Sequence, residues 1–372
     1  MSFGNMSETR NPAERERIRS EIRYSPLTRE ELPLLSELIG GMHNEDESVL
    51  DIRTYTKEYY DWMYFRNPAG PAVVYSGKHN GQIVTSFAVA PKRIQFRGET
   101  ILCGKTMDMF THPEYQGLGL IKEVTARVFE AAKGRGISMW YVTPSNNSYP
   151  IFLGKWHYVE SFQVNYIVRV LDYAAVLAAT VRPALVGRAA GFAIDVARKL
   201  RRSLPPPDPR LELRDERAFG LETDTLWTRC GGYGVALVRD AAYLAWRYLQ
   251  SPDRYEITKA YAQGELRGIL VTKLTRRRGL KVGEFVDCVA APEDVEVRQN
   301  LYRHGLRRFV EEGCAFAQNW AIQDSRWERE MIAAGLNWRR KKMALVFSPS
   351  ASREEFYDGS AWYLTPGDGN DL

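Results

Sequence analysis

The sequence predicts an α+β protein made of two αβ units, each a mixed, mostly antiparallel sheet flanked by helices, with a helical connector between them. Three observations predict it. A chain of 372 residues is about two to three times the usual domain length. Its first half alternates apolar strand runs with helical runs, punctuated by glycine and proline. Its second half repeats that order at near-constant spacing: Trp62 and Trp246, like Pro68 and Pro252, lie 184 positions apart (246 − 62, 252 − 68). Gly81 and Gly264 follow at 183, and Lys155-Trp156-His157-Tyr158 stands opposite Gly335-Leu336-Asn337-Trp338 at 180.

In chain order, a polar leader precedes a short strand at Ile22 to Tyr24, and Thr28 with Glu31 three residues on is a capping box opening a helix. A second helix, about Thr56 to Phe65, stops at Asn67-Pro68, because proline cannot continue the hydrogen-bond ladder and disfavours helix in its predecessor. Runs at 72–77 and 82–88 flank His79-Asn80-Gly81 and read as a hairpin whose Asn-Gly pair tolerates positive φ. A third strand covers about Ile101 to Thr111, a helix starts after Gly119, a strand covers Ser138 to Thr143, a short helix lies near Pro150 to Leu153, and a long strand covers Val159 to Leu171. The division is a leader at 1–21, a first unit at 22–171, a connector at 172–209, a second unit at 210–349 and a C-terminal tail at 350–372.

The connector is helical and alanine-rich, with Arg182, Arg188, Arg198, Lys199, Arg201 and Arg202 against Asp195, and ends in the stiff run Pro205-Pro206-Pro207-Asp208-Pro209. Its charges argue against a membrane span, which needs ~20 nearly uncharged residues. A packed connector with a solvated basic face and contact with an anionic membrane surface are the two readings.

Composition narrows the function classes. At 44% hydrophobic and 12% aromatic residues the chain can bury a sizeable core, which excludes disordered and disulfide-framework readings. The net charge of +5, from 51 basic and 46 acidic residues, is too small a surplus to predict a nucleic-acid partner. Cys103, Cys230, Cys288 and Cys314 are widely spaced, so we expect reduced core thiols and no metal site. The N-terminus has no apolar core of signal-peptide type, and a cytoplasmic protein is expected.

The informative segment is Pro113-Glu114-Tyr115-Gln116-Gly117-Leu118-Gly119-Leu120, which leads from strand into helix. Successive backbone N–H groups at a helix N-terminus, aided by the helix dipole, make a cradle for pyrophosphate. It lacks the Lys-Ser/Thr end of a Walker loop and the three-glycine spacing of a dinucleotide fingerprint, and a structural glycine turn remains the alternative. The second copy has Pro292-Glu293-Asp294-Val295-Glu296-Val297-Arg298 here, with three acids and no glycine, so this unit is expected to lack the site.

The string THPEYQGLGL, in this order of strands and helices, resembles the acyl-CoA motif Q/R-x-x-G-x-G/A of GNAT acyltransferases. Gln116 and Gly119 match it, while Ile121 stands where the family has Gly or Ala. The resemblance covers about Ile22 to Leu171 with the motif and about Leu211 to Phe347 without it. It implies tandem GNAT-like folds and acetyl-CoA or another acyl-CoA as cosubstrate, held by the amides of Gln116, Gly117, Leu118, Gly119 and Leu120. It further implies pantetheine contacts from the strand end at Phe110 and Thr111 and from Asn147, which also suits helix capping. The two-copy layout and the W-x-x-x-x-N-P stop look like tandem GNAT proteins that N-acylate nucleotide-linked amino sugars in polysaccharide biosynthesis, which implies a small-molecule amine acceptor.

Transfer to an amine needs a base, a polarised thioester and a proton for the departing thiolate. The resemblance points to an acid on the strand before the turn, and Asp108 is the acid there, flanked by Met107 and Met109. An ordinary structural aspartate is the competing reading, and His112 the competing base. Aligning the family's Y-x-x-x-G-F acid string puts Phe152 where the tyrosine belongs, which leaves Tyr149, one helical turn earlier, as the nearest phenol. Tyr59, Tyr60, Trp62, Tyr64 and Phe65 either offer faces to a sugar ring or simply pack. The rival functions are a non-catalytic acyl-CoA sensor or scaffold, and transfer to a peptide or aminoacyl-tRNA amine.

Overall fold

A computed structural model describes residues 11–43, 56–137, 139–144, 148–181, 183–201, 208–336, 338–347 and 354–369. It divides into two compact units. The first takes Met1–Arg93, Ile101–Val142 and Phe347–Ser352, and the second takes Ile94–Thr100, Thr143–Val346 and Arg353–Leu372.

The first unit opens with a helix where the sequence reading has only a polar leader: α1 (Pro12–Glu21) starts at Asn11, whose side chain accepts from the Glu14 amide at 2.8 Å. Its one buried side chain, Ile18, joins Ile22, Val84, Leu118 and Leu120 in a small apolar cluster, and that long-range contact is what the local sequence does not show. Strand β1 (Arg23–Pro26) is followed by α2 (Leu32–His43), with the Thr28 amide donating to Glu31 as half of the expected capping box. Helix α3 (Lys57–Tyr60), capped by Thr56, runs into a π-helical turn at Asp61–Phe65. The chain stops where Asn67 donates to the Pro91 carbonyl and takes the Ala69 amide.

Strands β2 (Val73–His79), β3 (Gln82–Phe96) and β4 (Glu99–Thr111) follow, with α4 (Leu120–Gly134) and β5 (Trp140–Val142). The strand order is β1-β2-β3-β4-β5, with β1, β2 and β3 antiparallel and β5 parallel to β4. The predicted hairpin is present, with Asn80 at φ 50° and Gly81 at φ 80°. Helix α4 buries Val124, Val128 and Ala132, and the Phe129 ring stacks on Trp140 with centroids 4.5 Å apart.

In the second unit a π-helical turn at Ile151–Lys155 precedes β6 (Val159–Val170), which the sequence division places in the first unit. The reason is pairing over long separation: β6 runs antiparallel to β12 (Phe316–Ile322), Phe316 opposite Val170. Between them lie α5 (Tyr173–Thr180), α6 (Ala184–Arg201), β7 (Glu212–Asp215), α7 (Leu221–Arg229), β8 (Val235–Leu237) and α8 (Ala241–Leu244). Then come β9 (Glu256–Ala262), β10 (Glu265–Arg277), β11 (Leu280–Ala290) and α9 (Val295–Glu311), and after β12 come α10 (Arg326–Ala334), β13 (Trp338–Phe347) and β14 (Trp362–Tyr363). The order is β13-β6-β12-β11-β10-β9-β7. Helix α9 packs Val297, Leu301, Leu306 and Phe309 into a core with Phe285 and Leu270.

One stretch of these elements recurs at the offset read from the sequence. Helix α3 and its π-helical turn at Asp61–Phe65 are matched, 184 positions on (245 − 61), by α8 and a π-helical turn at Ala245–Leu249. The Arg276-Arg277-Arg278 run lies at the β10–β11 turn, where Arg278 has φ 50° and Gly279 φ 77°.

Residues 354–369, which the sequence division leaves as a tail, are a strap of the second unit. Trp362 and Tyr363 pair with β8, and Thr365 and Asp368 are buried. They close a polar network around Arg239, whose side chain is 0% exposed and whose guanidinium meets Asp287 at 2.9 Å and Asp368 at 2.8 Å. The Asp287 carboxylate also takes the Tyr248 hydroxyl at 2.8 Å. Removing one partner of such a group strands buried charge. Arg239→Met should therefore cost about 3–5 kcal/mol of stability in a urea titration, and a loss below about 1 kcal/mol would mean that the two carboxylates are neutralised some other way.

All four cysteines are buried and unpaired. Burial pushes the Cys230 and Cys288 thiols up to about 12 and Cys314 up to about 11, so none of these three is a ready thiolate at neutral pH.

Candidate functional site

The site is built where β4 hands over to α4. After Thr111, the His112 amide donates to the Val84 carbonyl at 2.8 Å, and a 3₁₀ turn at Pro113–Tyr115 follows. His112 caps that turn, its Nδ1 accepting from the Glu114 amide at 3.3 Å. Gln116 is extended, and Gly117 and Gly119 hold φ 76° and 77°, the left-handed region that a side chain makes costly. Gly119 is the N-cap of α4 and has no side chain with which to cap it.

The leucines and glycines of this turn divide the work. Leu118 and Leu120 are buried in the cluster with Ile18, Ile22 and Val84 and pin the turn from beneath. Gln116, Gly117 and Gly119 are exposed, and a Cβ built on Gly119 meets nothing within 4 Å. The first N–H groups of α4 have no acceptor within the helix, so they and the positive helix end face an open side. Gln116 donates from Nε2 to the Thr111 carbonyl at 3.3 Å, tying the two ends of the turn. Thr111 and Thr85 hydroxyls are 3.1 Å apart, and Thr85 also donates to the Phe110 carbonyl at 2.9 Å. That fixes the strand end at Phe110 and Thr111.

One contributor lies outside the sequence reading. Arg15 of α1 donates to the Gly117 carbonyl at 2.6 Å, which orients the turn and adds a cation at its rim. The local signal for it was the Asn11-Pro12 helix start, which the polar composition of the leader masked.

Asp108 has φ 52°, an irregularity that turns its side chain out of the β4 alternation. It is half-buried, and its carboxylate accepts from the Tyr64 hydroxyl at 2.6 Å. Burial, reinforced by the nearby Asp108 charge, pushes the Tyr64 phenol well above its ordinary value, so it remains a donor. The second copy repeats this pair in Tyr248 and Asp287, but there Arg239 neutralises the acid and the strap covers it. Before α9 in the second unit, the Arg298 guanidinium donates to the carbonyls of Ala291 and Pro292, and Arg267 pairs with Asp294.

The structure brings Phe110, Thr111, Gln116, Gly117, Leu118, Gly119 and Leu120 into the unit that holds Asp108. Tyr149 belongs to the second unit, where its hydroxyl donates to the Glu160 carboxylate. Asn147 lies outside the described residues. Phe152 is buried, with the Trp156 and Tyr158 rings at 5.0 Å. Tyr59, Tyr60, Trp62 and Tyr64 are buried too, so these rings pack and offer no face to a sugar. Among the described residues no cluster of three or more His, Cys, Asp or Glu side chains is arranged to hold a metal.

Residues 24–155 match the sequence model of the Acetyltransferase (GNAT) domain. No curated protein sequence matches the chain significantly. Solved structures do resemble it in fold. Saccharomyces cerevisiae N-myristoyltransferase with bound myristoyl-CoA superposes with a TM-score of 0.61 at 10% identity, over 88% of this chain and 83% of that one. A probable N-acyltransferase of Enterococcus faecalis gives 0.59 at 12%, over 88% and 72%, and a GCN5-related N-acetyltransferase of Anabaena variabilis gives 0.56 at 10%, over 88% and 72%. Residues 24–155 thus match the model of a GNAT acetyltransferase domain, and the chain shares its fold with solved N-acyltransferases.

Proposed function

We propose that the chain moves an acyl group from acyl-CoA to the primary amine of a nucleotide-linked amino sugar in polysaccharide biosynthesis. The observation that carries the transfer chemistry is the open glycine turn at the start of α4, in one unit with the Asp108–Tyr64 pair. The exposed turn suits a pyrophosphate: helix-end amides are available, Arg15 adds positive charge, and Gly119 leaves room for close approach. The fold likeness to an enzyme holding myristoyl-CoA supports the same donor class.

In this reading the turn amides and Arg15 hold the donor's phosphates, and the strand end at Phe110 and Thr111 lines its arm. Asp108 takes a proton from the acceptor ammonium, and Tyr64 holds the carboxylate in place while it does so. The freed amine attacks the thioester carbon, the carbon–sulfur bond breaks, and the thiolate takes up, by way of solvent, the proton that the nitrogen sheds. The amino-sugar acceptor rests on the two-copy layout and on the Trp62 to Pro68 stop.

Release of free thiol from acyl-CoA, followed against a panel of amines headed by nucleotide-linked amino sugars, tests this directly. Amine-dependent release is expected, with the sugar nucleotides fastest. Saturable acyl-CoA binding without turnover on any amine would instead make the protein a sensor or scaffold, and turnover only on peptide or aminoacyl-tRNA amines would keep the chemistry and replace the acceptor.

A further inference from the structure

Helix α6 buries the side that an amphipathic helix normally exposes. Of its residues whose side chains are described, Gly187 and Gly191 are buried and Asp195 is half-buried, one stripe at spacing four. That stripe lies on α5: a Cβ at Gly187 would run into the Leu177 carbonyl, and one at Gly191 into the backbone of Tyr173 and Ala174. Asp195 takes the Tyr173 and Ala174 amides at 3.1 and 3.0 Å, so its charge is engaged at the first turn of α5. The large apolar side chains point the other way. Leu185 is 80% exposed, Val186 59%, Phe192 65% and Val196 43%. Leu185, Phe192 and Val196 fall at i, i+7 and i+11, on one face opposite the glycines. Helix α5 has no fully buried residue. The outward side of α6 thus carries an apolar stripe beside the exposed Arg188.

We infer that the α5–α6 hairpin docks on an anionic lipid surface, with Leu185, Phe192 and Val196 entering the interface. Contiguous exposed apolar patches are uncommon on monomeric soluble proteins and mark contact sites. Charge selects the partner. Residues 184–201 hold Arg188, Arg198, Lys199 and Arg201 against one acid, Asp195, and that acid is bonded inward. A second copy of the hairpin would set like charge against like charge, whereas acidic headgroups complement it. No described helix is long and apolar enough to cross a membrane, so the hairpin lies in the surface plane. This inference is independent of the transfer chemistry.

The test is sedimentation of the full chain with vesicles of phosphatidylcholine alone and of phosphatidylcholine with about one third phosphatidylglycerol. Partition into the anionic vesicles is expected, weakening as salt rises. The double variant Leu185→Glu/Phe192→Glu should partition at least about tenfold more weakly. Both side chains are exposed, so an unchanged melting temperature will show that the fold is kept. Absence of partition for the parent chain overturns the inference, as does equal partition of the variant. A dimer seen by sedimentation velocity without lipid and abolished by the variant also overturns it, assigning the face to a second copy.

Discussion

Asp108→Asn will lower kcat by about 100- to 10,000-fold while leaving acyl-CoA affinity within about threefold of the parent, the range expected when a general base is removed and binding groups are not. The variant is a clean one for structural reasons. Asparagine tolerates the left-handed region that Asp108 occupies at φ 52°, so the β4 irregularity survives. Its amide oxygen can still accept from the Tyr64 hydroxyl, which now lies 2.6 Å from the carboxylate. What is lost is the charge and the proton-accepting capacity. Steady-state turnover of acyl-CoA with a reactive amine, beside isothermal titration with CoA, separates the two parameters.

Tyr64→Phe is the companion measurement. It keeps the buried ring and removes one donor, so about a tenfold fall in kcat with donor KM unchanged is the expected result. The second copy supplies the contrary case. Asp287 makes the same bond to Tyr248, yet it is buried against Arg239 and serves stability. Unchanged turnover in Asp108→Asn would place Asp108 in that structural class and remove the proposed base.

What the sequence shows of this protein is what turn chemistry and periodicity encode locally. Asn80-Gly81 adopts positive φ because few other pairs do so cheaply, and Asn67-Pro68 ends its helix because proline lacks the N–H. The glycines of the α4 turn are legible for the same reason, and the 184-residue offset (245 − 61) returns as two π-helical turns in matching positions. Contacts across long separations are not legible in this way. Arg15 reaches Gly117 over 102 positions and Tyr64 reaches Asp108 over 44, and nothing in the spacing of either pair requires it. The exchange of β6 into the second unit depends on pairing with β12, which any apolar strand of that length would satisfy locally. The strap at 354–369 is not legible locally because its buried groups are polar, and Asp368 declares its role only opposite Arg239. In α6 the amphipathic pattern was legible but its direction was not, because two glycines rather than the apolar stripe make the close contact.

Gly119→Glu should abolish measurable CoA binding, a loss of at least about 100-fold, from placing a carboxylate about 5 Å from a bound diphosphate at an effective dielectric near 20. The substitution carries two separable effects. A side chain at φ 77° costs about 1 kcal/mol of backbone strain, which should shift the melting temperature by only a few degrees in a chain this long. No protein atom lies within 4 Å of the new Cβ, so packing adds nothing to that strain, and the binding loss must come from the ligand side of the turn. Gly119→Asn isolates the charge. Asparagine tolerates the left-handed conformation and is neutral, so it should retain part of the affinity that glutamate destroys. Isothermal titration of the three proteins with CoA and acetyl-CoA reads this as an ordered series, parent tightest and glutamate absent, with the gap narrowing as salt screens the repulsion. Should Gly119→Glu bind CoA as the parent does, the phosphates are held elsewhere, the α4 turn is a structural cap, and the donor site must be sought away from Gln116–Leu120.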